Sequence, residues 1–247
     1  MIKKWFKHQV VERMNSSKDH KLEMKRKSAK AALEFIKEDM VLGVGSGSTV
    51  REFILLLKTL DIDSNKIICI PSSYDTEQML IENNMIVGSL NQHPIIDLTI
   101  DGADRVDNEL NVIKGGGGAL LREKIIAAAA KQVIIIVDDS KLVSSLAGSF
   151  PIPVEVIPHA REYVSMQLIA LGGKPLVRKA SDKLGPTITD NGNIIIDTDF
   201  QKIDDVSKME KIINDIPGVM ENGLFPKNLI SKVIVATGNE IKIKERK

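Results

Sequence analysis

Four short runs of aliphatic residues alternate with longer helical patterns in the first 150 residues, and this alternation constrains the fold most strongly. The runs are MVLGVG (40–45), KIICI (66–70), IIDLTI (95–100) and QVIIIV (132–137). Continuous apolar runs of this length are typical of strands buried on both faces. Helical patterns lie at 24–38, 48–60, 76–84 and 118–131. The alternation predicts crossover connections and a mostly parallel sheet with helices on both faces, an α/β fold.

The residue pattern changes after residue 150, where the alternation of apolar runs and helical patterns ends. FPIPVEVIP (150–158) is rich in proline, and TDNGNIIIDTDF (189–200) places Asn191 and Gly192 as a hairpin turn between possible strands. Helical patterns follow at 160–172 and 207–216, and LISKVIVAT (229–237) is expected to return as a strand to the main sheet. We therefore predict a main α/β domain over 1–150 and 220–247, which carries the site, and a smaller α+β domain over 151–219.

Composition excludes several classes of protein. The formal net charge of +1 gives no reason to expect a nucleic acid partner. Cys69 is the single cysteine and is predicted to be a buried, inert thiol, and the four histidines lack metal-ligand spacing, so we expect no metal. No apolar run reaches membrane-spanning length and no secretory signal is evident, which favours a cytoplasmic protein. The basic N-terminal residues, about 20 in number, form either an amphipathic helix, with Trp5, Val10 and Met14 on one face, or a loose extension.

Polar residues follow each predicted strand of the main domain. In an open parallel sheet the carboxyl ends of the strands share one edge, where ligands bind. We expect six side chains, distant in sequence, to meet there: Ser46, Ser48, Thr49, Asp101, Asp104 and Lys141.

The segment GVGSGST (43–49) joins the first strand to a helix. Glycine-rich backbone at a helix N-terminus provides unpaired N–H donors and the positive end of the helix dipole, so it suits a phosphate. The segment matches neither the dinucleotide fingerprint nor a Walker loop. The structural alternative is a tight turn with Ser48 or Thr49 as the helix N-cap.

The segment DGADRVDNELNVIKGGGGALLREK (101–124) is more specific. Asp101 and Asp104 end an apolar strand, and alone they could merely cap a turn. They precede Lys114 and the glycine run 115–118, whose bare backbone can approach a ligand closely. This grouping favours a lysine that organises two carboxylates beside an anion-binding turn over a solvated surface lysine.

Glu123 lies in the first turns of the following helix. At 100° per residue, Leu121, Ile125 and Ala128 form an apolar stripe expected to pack, while Glu123 points roughly opposite. No residue four positions away can pair with it, so a solvated ion pair is weakly supported. Within reach of a sugar it would be a candidate general base.

With these residues assembled, the chain closely resembles the A-type ribose-5-phosphate isomerase family. The matching motifs occur in the family's order over roughly residues 25–240, and DGAD with KGGGGALLREK is the most specific part. The motifs are GVGSGST, DGAD, IKGGGGALLREKIIA, DDSK, FPIPVEVIP, GGKPLVRKA, TDNGNIIID and IPGVMENGLF.

The resemblance implies a Rossmann-like sheet with a smaller α+β domain and the interconversion of ribose 5-phosphate and ribulose 5-phosphate in the pentose phosphate pathway. It implies no metal and no organic cofactor, and a homo-oligomer, a dimer or a tetramer. Glu123 would be the catalytic base, with Lys114 stabilising an enediolate, Asp101 and Asp104 binding hydroxyls, and Asp101 able to assist ring opening. The implied substrate contacts are Lys25, Ser46, Gly47, Ser48, Thr49, Asp101, Gly102, Ala103, Asp104, Lys114, Gly115, Gly116, Gly117 and Lys141.

Three features depart from the family pattern. Arg105 stands where an acid commonly follows DGAD, Gly118 replaces a usual alanine, and SSYDTE (72–77) is slightly shorter than the family's serine-rich loop. The alternative functions are another sugar-phosphate isomerase of the fold group or a non-enzymatic sugar-phosphate sensor, which would not need Glu123 and would carry a helix-turn-helix module. A nucleotide-binding dehydrogenase is weaker, because the third glycine of its fingerprint is missing.

Overall fold

The structure is a computed structural model that describes residues 19–60, 66–181, 184–238 and 240–246. The proposed amphipathic face of Trp5, Val10 and Met14 lies outside these residues. Six α-helices are described: residues 19–32 (α1), Ser48–Leu57 (α2), Tyr74–Glu82 (α3), Leu120–Ala129 (α4), Arg161–Ala170 (α5) and Val206–Asn214 (α6).

A seven-stranded sheet forms the centre of the molecule, and all but one of its strand pairings are parallel. Along the sheet the order is Ile241–Glu245 (β14), Lys232–Ala236 (β13), Val133–Asp138 (β7), Leu98–Asp101 (β4), Val41–Val44 (β1), Ile68–Pro71 (β2) and Ile86–Val87 (β3). The predicted parallel α/β sheet is confirmed, including the return of residues 229–237 as β13 beside β7. The antiparallel edge strand β14 and the short β3 were not predicted.

Aliphatic side chains make β1, β4 and β7 strands rather than helices, since each run is too short for a helix and is buried on both faces. One face packs against the helices around Phe53 and Leu80, both fully buried. Cys69 on β2 is buried and free, and burial raises its pKa to about 12, so the prediction of an inert thiol is confirmed.

A four-stranded antiparallel sheet forms a second layer with α5 and α6 beside it. Its strands, in spatial order, are Val219–Asn222 (β11), Ile152–Val156 (β8), Ile194–Phe200 (β10) and Gly173–Val177 (β9). The predicted turn at Asn191 and Gly192 has Gly192 at φ +80° and is closed by a single antiparallel bridge between Ile188 and Ile194. Only its second flank is therefore a strand, because the residues before the turn pair through isolated bridges rather than a continuous ladder.

Three further short strands form a small antiparallel sheet that the sequence did not reveal. They are Arg105–Val106 (β5), Val112–Ile113 (β6) and Leu224–Phe225 (β12). Strands of two residues carry no periodicity, so no pattern could predict them. Because β11 continues to residue 222 within the second sheet, the sheet crosses the boundary predicted at 219/220, and the domain division stays a prediction.

Candidate active site

A cavity of about 250 Å³ lies at the carboxyl edge of the central sheet. The loops after β1, β4 and β7 reach it, as does the turn before α4. Its walls contain every substrate contact implied by the resemblance except Asp101, together with Glu123; the residues are Lys25, Ser46, Gly47, Ser48, Thr49, Gly102, Ala103, Asp104, Lys114, Gly115, Gly116, Gly117, Glu123 and Lys141. The structure thus brings together residues more than a hundred positions apart.

The loop after β1 presents a helix N-terminus to one end of the cavity. Gly47 occupies the N-cap position of α2 at φ +98°, without a side-chain cap. The alternative that Ser48 or Thr49 caps the helix is therefore wrong. Arg51 makes the first backbone bond back to Gly47, so the preceding N–H groups have no partner within the helix. This end of the cavity suits an anion.

Two lysines line the same cavity. Lys25 reaches the cavity from α1, and Lys141 reaches it from the short 3₁₀ turn Asp139–Lys141 that follows β7. Asp138 accepts a hydrogen bond from the Ser140 N–H at 3.0 Å, which fixes that turn. Two lysines and the positive end of a helix dipole in the walls of one cavity favour a bound anion.

A buried lysine lies between two buried carboxylates at the other end of the cavity. Lys114 Nζ is 2.9 Å from Asp101 Oδ2 and 3.2 Å from Glu123 Oε1, and it donates to the Gly102 carbonyl at 2.7 Å. All three side chains are at most 5% exposed. A lysine buried this deeply is retained only when paired, and here two acids supply the pairing.

Asp101 lies beneath the cavity wall rather than on it. Its Oδ1 accepts hydrogen bonds from the Ser46 N–H at 3.2 Å and the Gly102 N–H at 2.7 Å. A side chain at Gly45 would clash with it, since an added Cβ would lie 1.8 Å from Asp101 Oδ1. Asp101 therefore connects the loop after β1 to Lys114 and, through it, to Glu123.

Burial shifts the proton affinities of the cluster. The pKa of Glu123 is raised to about 8, because burial and the neighbouring Asp101 charge both raise it and Lys114 only partly offsets them. Burial also raises the pKa of Asp101. Although burial disfavours the Lys114 ammonium, Asp101 and Glu123 raise its pKa above the usual value. The site holds a proton acceptor tuned near neutral pH beside a stable cation.

Glu123 belongs to the buried face of α4, which corrects the predicted stripe. Ile125 is 45% exposed and Ala128 is exposed, whereas Glu123 is buried together with Ile126 and Ala127. The helix buries the face that carries Glu123 rather than the predicted apolar stripe. This is possible because Lys114 pairs with the carboxylate. Glu123 Oε2 has no hydrogen-bond partner among the described residues, so one carboxylate oxygen is free for a proton.

The glycine run forms a tight turn closed by a hydrogen bond from the Gly118 N–H to the Gly115 carbonyl at 3.0 Å. Gly115 and Gly118 adopt φ values of +96° and +87°, which favour glycine. The Gly116 N–H donates to Asp104 Oδ2 at 2.7 Å. The Gly117 N–H, on the cavity wall, has no acceptor within the described ranges and is available to a ligand.

None of the residues that depart from the family pattern lines the cavity. Arg105 starts β5, donates to the Asp104 carbonyl at 2.6 Å and stacks over Phe150 at 5.4 Å, outside the cavity. In the serine-rich segment, the Ser72 hydroxyl lies 2.7 Å from that of Ser46, and Ser73 caps α3. Arg105 therefore holds the backbone of Asp104 and places no charge in the cavity.

Two residues important to the site had no assigned role in the sequence. Gly223, between β11 and β12, allows the Lys114 backbone to approach closely, because an added Cβ would lie 2.3 Å from the Lys114 carbonyl. Arg178, from the second sheet, donates to the carbonyls of Gly115 and Gly116. Their motifs were visible, but only the packing of the two sheets reveals these contacts.

The described residues contain no group of three or more His, Cys, Asp and Glu side chains placed to hold a metal ion. The Lys114 ammonium occupies the position between Asp101 and Glu123. Across the same residues, none of the helices is long and apolar enough to cross a membrane.

The fold and the cavity place the chain in the class of open-sheet α/β proteins that hold a small ligand at the carboxyl edge of parallel strands. Residues 68–240 match the family model described as ribose 5-phosphate isomerase A (phosphoriboisomerase A). The chain belongs to this family. The resemblance inferred from the motifs is thereby confirmed.

Named relatives support the same assignment. Ribose-5-phosphate isomerase A of Pyrococcus horikoshii is 46% identical over 226 residues, which cover 91% of this chain and 98% of the relative. The solved ribose 5-phosphate isomerase A of Methanocaldococcus jannaschii has a TM-score of 0.86 at 41% identity, over 90% of this chain and 98% of that one. A D-ribose-5-phosphate isomerase solved in complex with phospho-erythronic acid has a TM-score of 0.87 at 44% identity, over 91% and 98%.

Proposed function

We propose that the chain interconverts ribose 5-phosphate and ribulose 5-phosphate, the aldose-ketose isomerisation of the non-oxidative pentose phosphate pathway. The single observation that carries this function is Glu123: a buried carboxylate with a pKa raised to about 8 and an unpaired oxygen on the wall of an anion-binding cavity. Isomerisation needs one base able to take a carbon-bound proton and return it to the adjacent carbon. The family membership agrees with this chemistry.

In the proposed mechanism Glu123 removes the proton from C2 of the open-chain aldose. The C–H electron pair forms the C1–C2 double bond, and the C1 carbonyl oxygen takes up negative charge, giving an enediolate. Glu123 returns the proton to C1, and the proton of the O2 hydroxyl passes to O1, so O2 becomes the ketone oxygen and O1 becomes a hydroxyl. The overall change moves hydrogen within one molecule, so it requires neither oxidant nor reductant.

Lys114 and the glycine turn are proposed to stabilise the enediolate. Lys114 lines the cavity and its Nζ contacts Glu123, so its charge would lie close to the carbons on which Glu123 acts. The free N–H of Gly117 supplies a second donor on the same wall. Donors fixed in a buried site stabilise developing charge strongly, because they need no reorganisation during the reaction.

The two aspartates are proposed to act differently. Asp104 lines the cavity, and its carboxylate, anchored by Gly116, can accept hydrogen bonds from substrate hydroxyls. Asp101 is 2% exposed and already accepts from Ser46 and Gly102, so its geometry supports holding Lys114 and the loop rather than touching a hydroxyl. Assistance of ring opening by Asp101 has no direct support in these contacts.

The phosphate is proposed to bind at the N-terminus of α2, with Lys141 and Lys25 beside it. Replacing Lys141 by alanine is expected to raise the KM for ribose 5-phosphate about 10- to 100-fold and to change kcat less, since a charge-assisted contact to the non-reacting end is lost. Steady-state kinetics measure the split. Lys174→Ala, at an exposed lysine of β9, is the matched control. An unchanged KM for Lys141→Ala would remove Lys141 from the phosphate site.

The decisive assay follows ketose formation from ribose 5-phosphate with and without EDTA. We expect equal rates, because Lys114 supplies the positive charge at the reacting end of the cavity. We also expect competitive inhibition by phospho-erythronic acid, whose carboxylate resembles the enediolate. Absence of ketose would contradict the isomerase function, and activity that EDTA abolishes would contradict a lysine-based mechanism.

A non-enzymatic sugar-phosphate sensor is less well supported by the site. A sensor needs the helix N-terminus and the two lysines but gains nothing from a buried acid with an unpaired oxygen. Burying such a group costs free energy, so its presence favours a function that uses the acid. The same assay distinguishes the two, since a sensor would bind ribose 5-phosphate without converting it.

A homo-oligomer, dimer or tetramer, remains a family-based proposal. Large apolar side chains are exposed around α5 and β9: Met166 is 66% exposed, Ile169 59% and Leu176 70%. Exposed apolar groups of this kind are common at interfaces between subunits. The cytoplasmic location predicted from the sequence stays a prediction.

A further inference from the structure

Arg178 contacts the active site although it lies directly after β9, a strand of the second sheet. Its NH1 donates to the carbonyl oxygens of Gly115 at 2.9 Å and Gly116 at 3.1 Å. Both carbonyls belong to the tight turn that forms one wall of the cavity. One guanidinium thus holds two successive peptide groups of this turn.

The guanidinium is itself fixed in place. It forms a two-point ion pair with Asp197 on β10, with Nε 2.8 Å from Asp197 Oδ2. The two side chains are 17% and 23% exposed. The Arg178 backbone N–H donates to Ile195 and its carbonyl accepts from Thr187, so both its backbone and its side chain are anchored. A two-point pair of this kind fixes the orientation of the guanidinium plane as well as the position of its charge.

Peptide geometry determines what this anchor does. In a planar trans peptide the C=O and N–H point in opposite directions. The carbonyls of Gly115 and Gly116 share their peptide planes with the N–H groups of Gly116 and Gly117. With both carbonyls held by Arg178, the first N–H meets Asp104 at 2.7 Å and the second lies on the cavity wall. A cation at the carbonyl oxygen also strengthens the N–H donor of the same peptide.

We propose that Arg178 is a positioning residue for the isomerisation: it orients and polarises two glycine-turn amides, of which the Gly116 N–H holds Asp104 and the Gly117 N–H meets the enediolate, and it couples the second sheet to catalysis. This rests on the proposed isomerase function. Arg178 acts through the turn and is not expected to touch the sugar phosphate. Its effect should therefore fall on the transition state and its analogues rather than on the substrate's phosphate.

The test compares Arg178→Met with the unaltered chain. We expect kcat about 10- to 100-fold lower, somewhat less than the loss for removing a direct oxyanion donor, with KM for ribose 5-phosphate within about threefold. The inhibition constant of phospho-erythronic acid should rise in parallel with the loss in kcat, because its carboxylate resembles the enediolate in shape and charge. Arg161→Met, which removes an exposed arginine of α5 paired with Glu162, should change none of these values.

A second variant separates positioning from folding. Arg178→Lys keeps a charge opposite Asp197 and is expected to preserve the fold, but a single ammonium cannot hold Asp197 and two carbonyls at once, so kcat should stay about tenfold low. Wild-type kcat in Arg178→Lys and Arg178→Met would overturn the proposal. So would equal losses for phospho-erythronic acid and ribose 5-phosphate. An inactive unaltered chain would instead overturn the proposed function.

Discussion

Replacing Glu123 by glutamine is expected to reduce kcat roughly 10³-fold while leaving the KM for ribose 5-phosphate nearly unchanged. Glutamine has the same shape but cannot accept a proton from carbon. Lys114 keeps its contacts with Asp101 and the Gly102 carbonyl, so the cavity should persist. Steady-state kinetics, together with exchange of the C2 proton into deuterated water, measure both effects, and exchange should be lost with turnover.

The pH profile supplies an internal check on Glu123. The base works in its deprotonated form, and its deprotonated fraction rises with pH. Since its pKa is raised to about 8, kcat/KM of the unaltered chain should rise up to about pH 8 and then level off. Glu123→Gln should lose this rise. The matched control is Glu162→Gln, at an exposed residue of α5, and near-normal turnover in Glu123→Gln would remove Glu123 as the base.

Replacing Lys114 by methionine is expected to damage both stability and catalysis. Removing one partner from a buried charged cluster typically costs about 3–5 kcal/mol, because the remaining charges stay buried without compensation. Here Asp101 and Glu123 would lose the cation that lies within 3.2 Å of both. We expect kcat to fall about 10²- to 10³-fold from the loss of enediolate stabilisation. Urea unfolding and steady-state kinetics measure the two effects separately.

The Lys114→Met replacement should also shift the pKa of Glu123 in a known direction. Lys114 lowers the pKa of Glu123, so its removal should raise that pKa and move the activity profile to higher pH. Lys131→Met is the control, because Lys131 forms an exposed ion pair with Asp97 at the opposite end of the strands, and such pairs contribute only about 0–1 kcal/mol. If Lys114→Met is too unstable, adding Asp101→Asn removes one unpaired charge. Full activity in either variant would refute the role of Lys114.

The main sheet and most of the cavity were predictable from local patterns. Strands β1, β4 and β7 are apolar runs with polar residues directly after them, and parallel pairing brings those polar ends to one edge. The position of Glu123 was harder, because the apolar stripe on α4 favoured the opposite face. Burial of the Glu123 carboxylate is compensated by its ion pair with Lys114. Because Lys114 lies outside α4, the residue pattern of the helix does not reveal this pairing.

The sequence by itself determined the parallel sheet, the helix N-terminus that suits a phosphate and the residue types at the reacting end. These follow from short-range patterns: strand length, glycine placement and the chain order of polar ends. Tertiary structure alone decided that Asp101 lies beneath the wall, that burial raises the pKa of Glu123 to about 8, and that Arg178 holds the glycine turn. Desolvation and hydrogen-bond direction depend on neighbours distant in the chain, and only the folded packing brings them together.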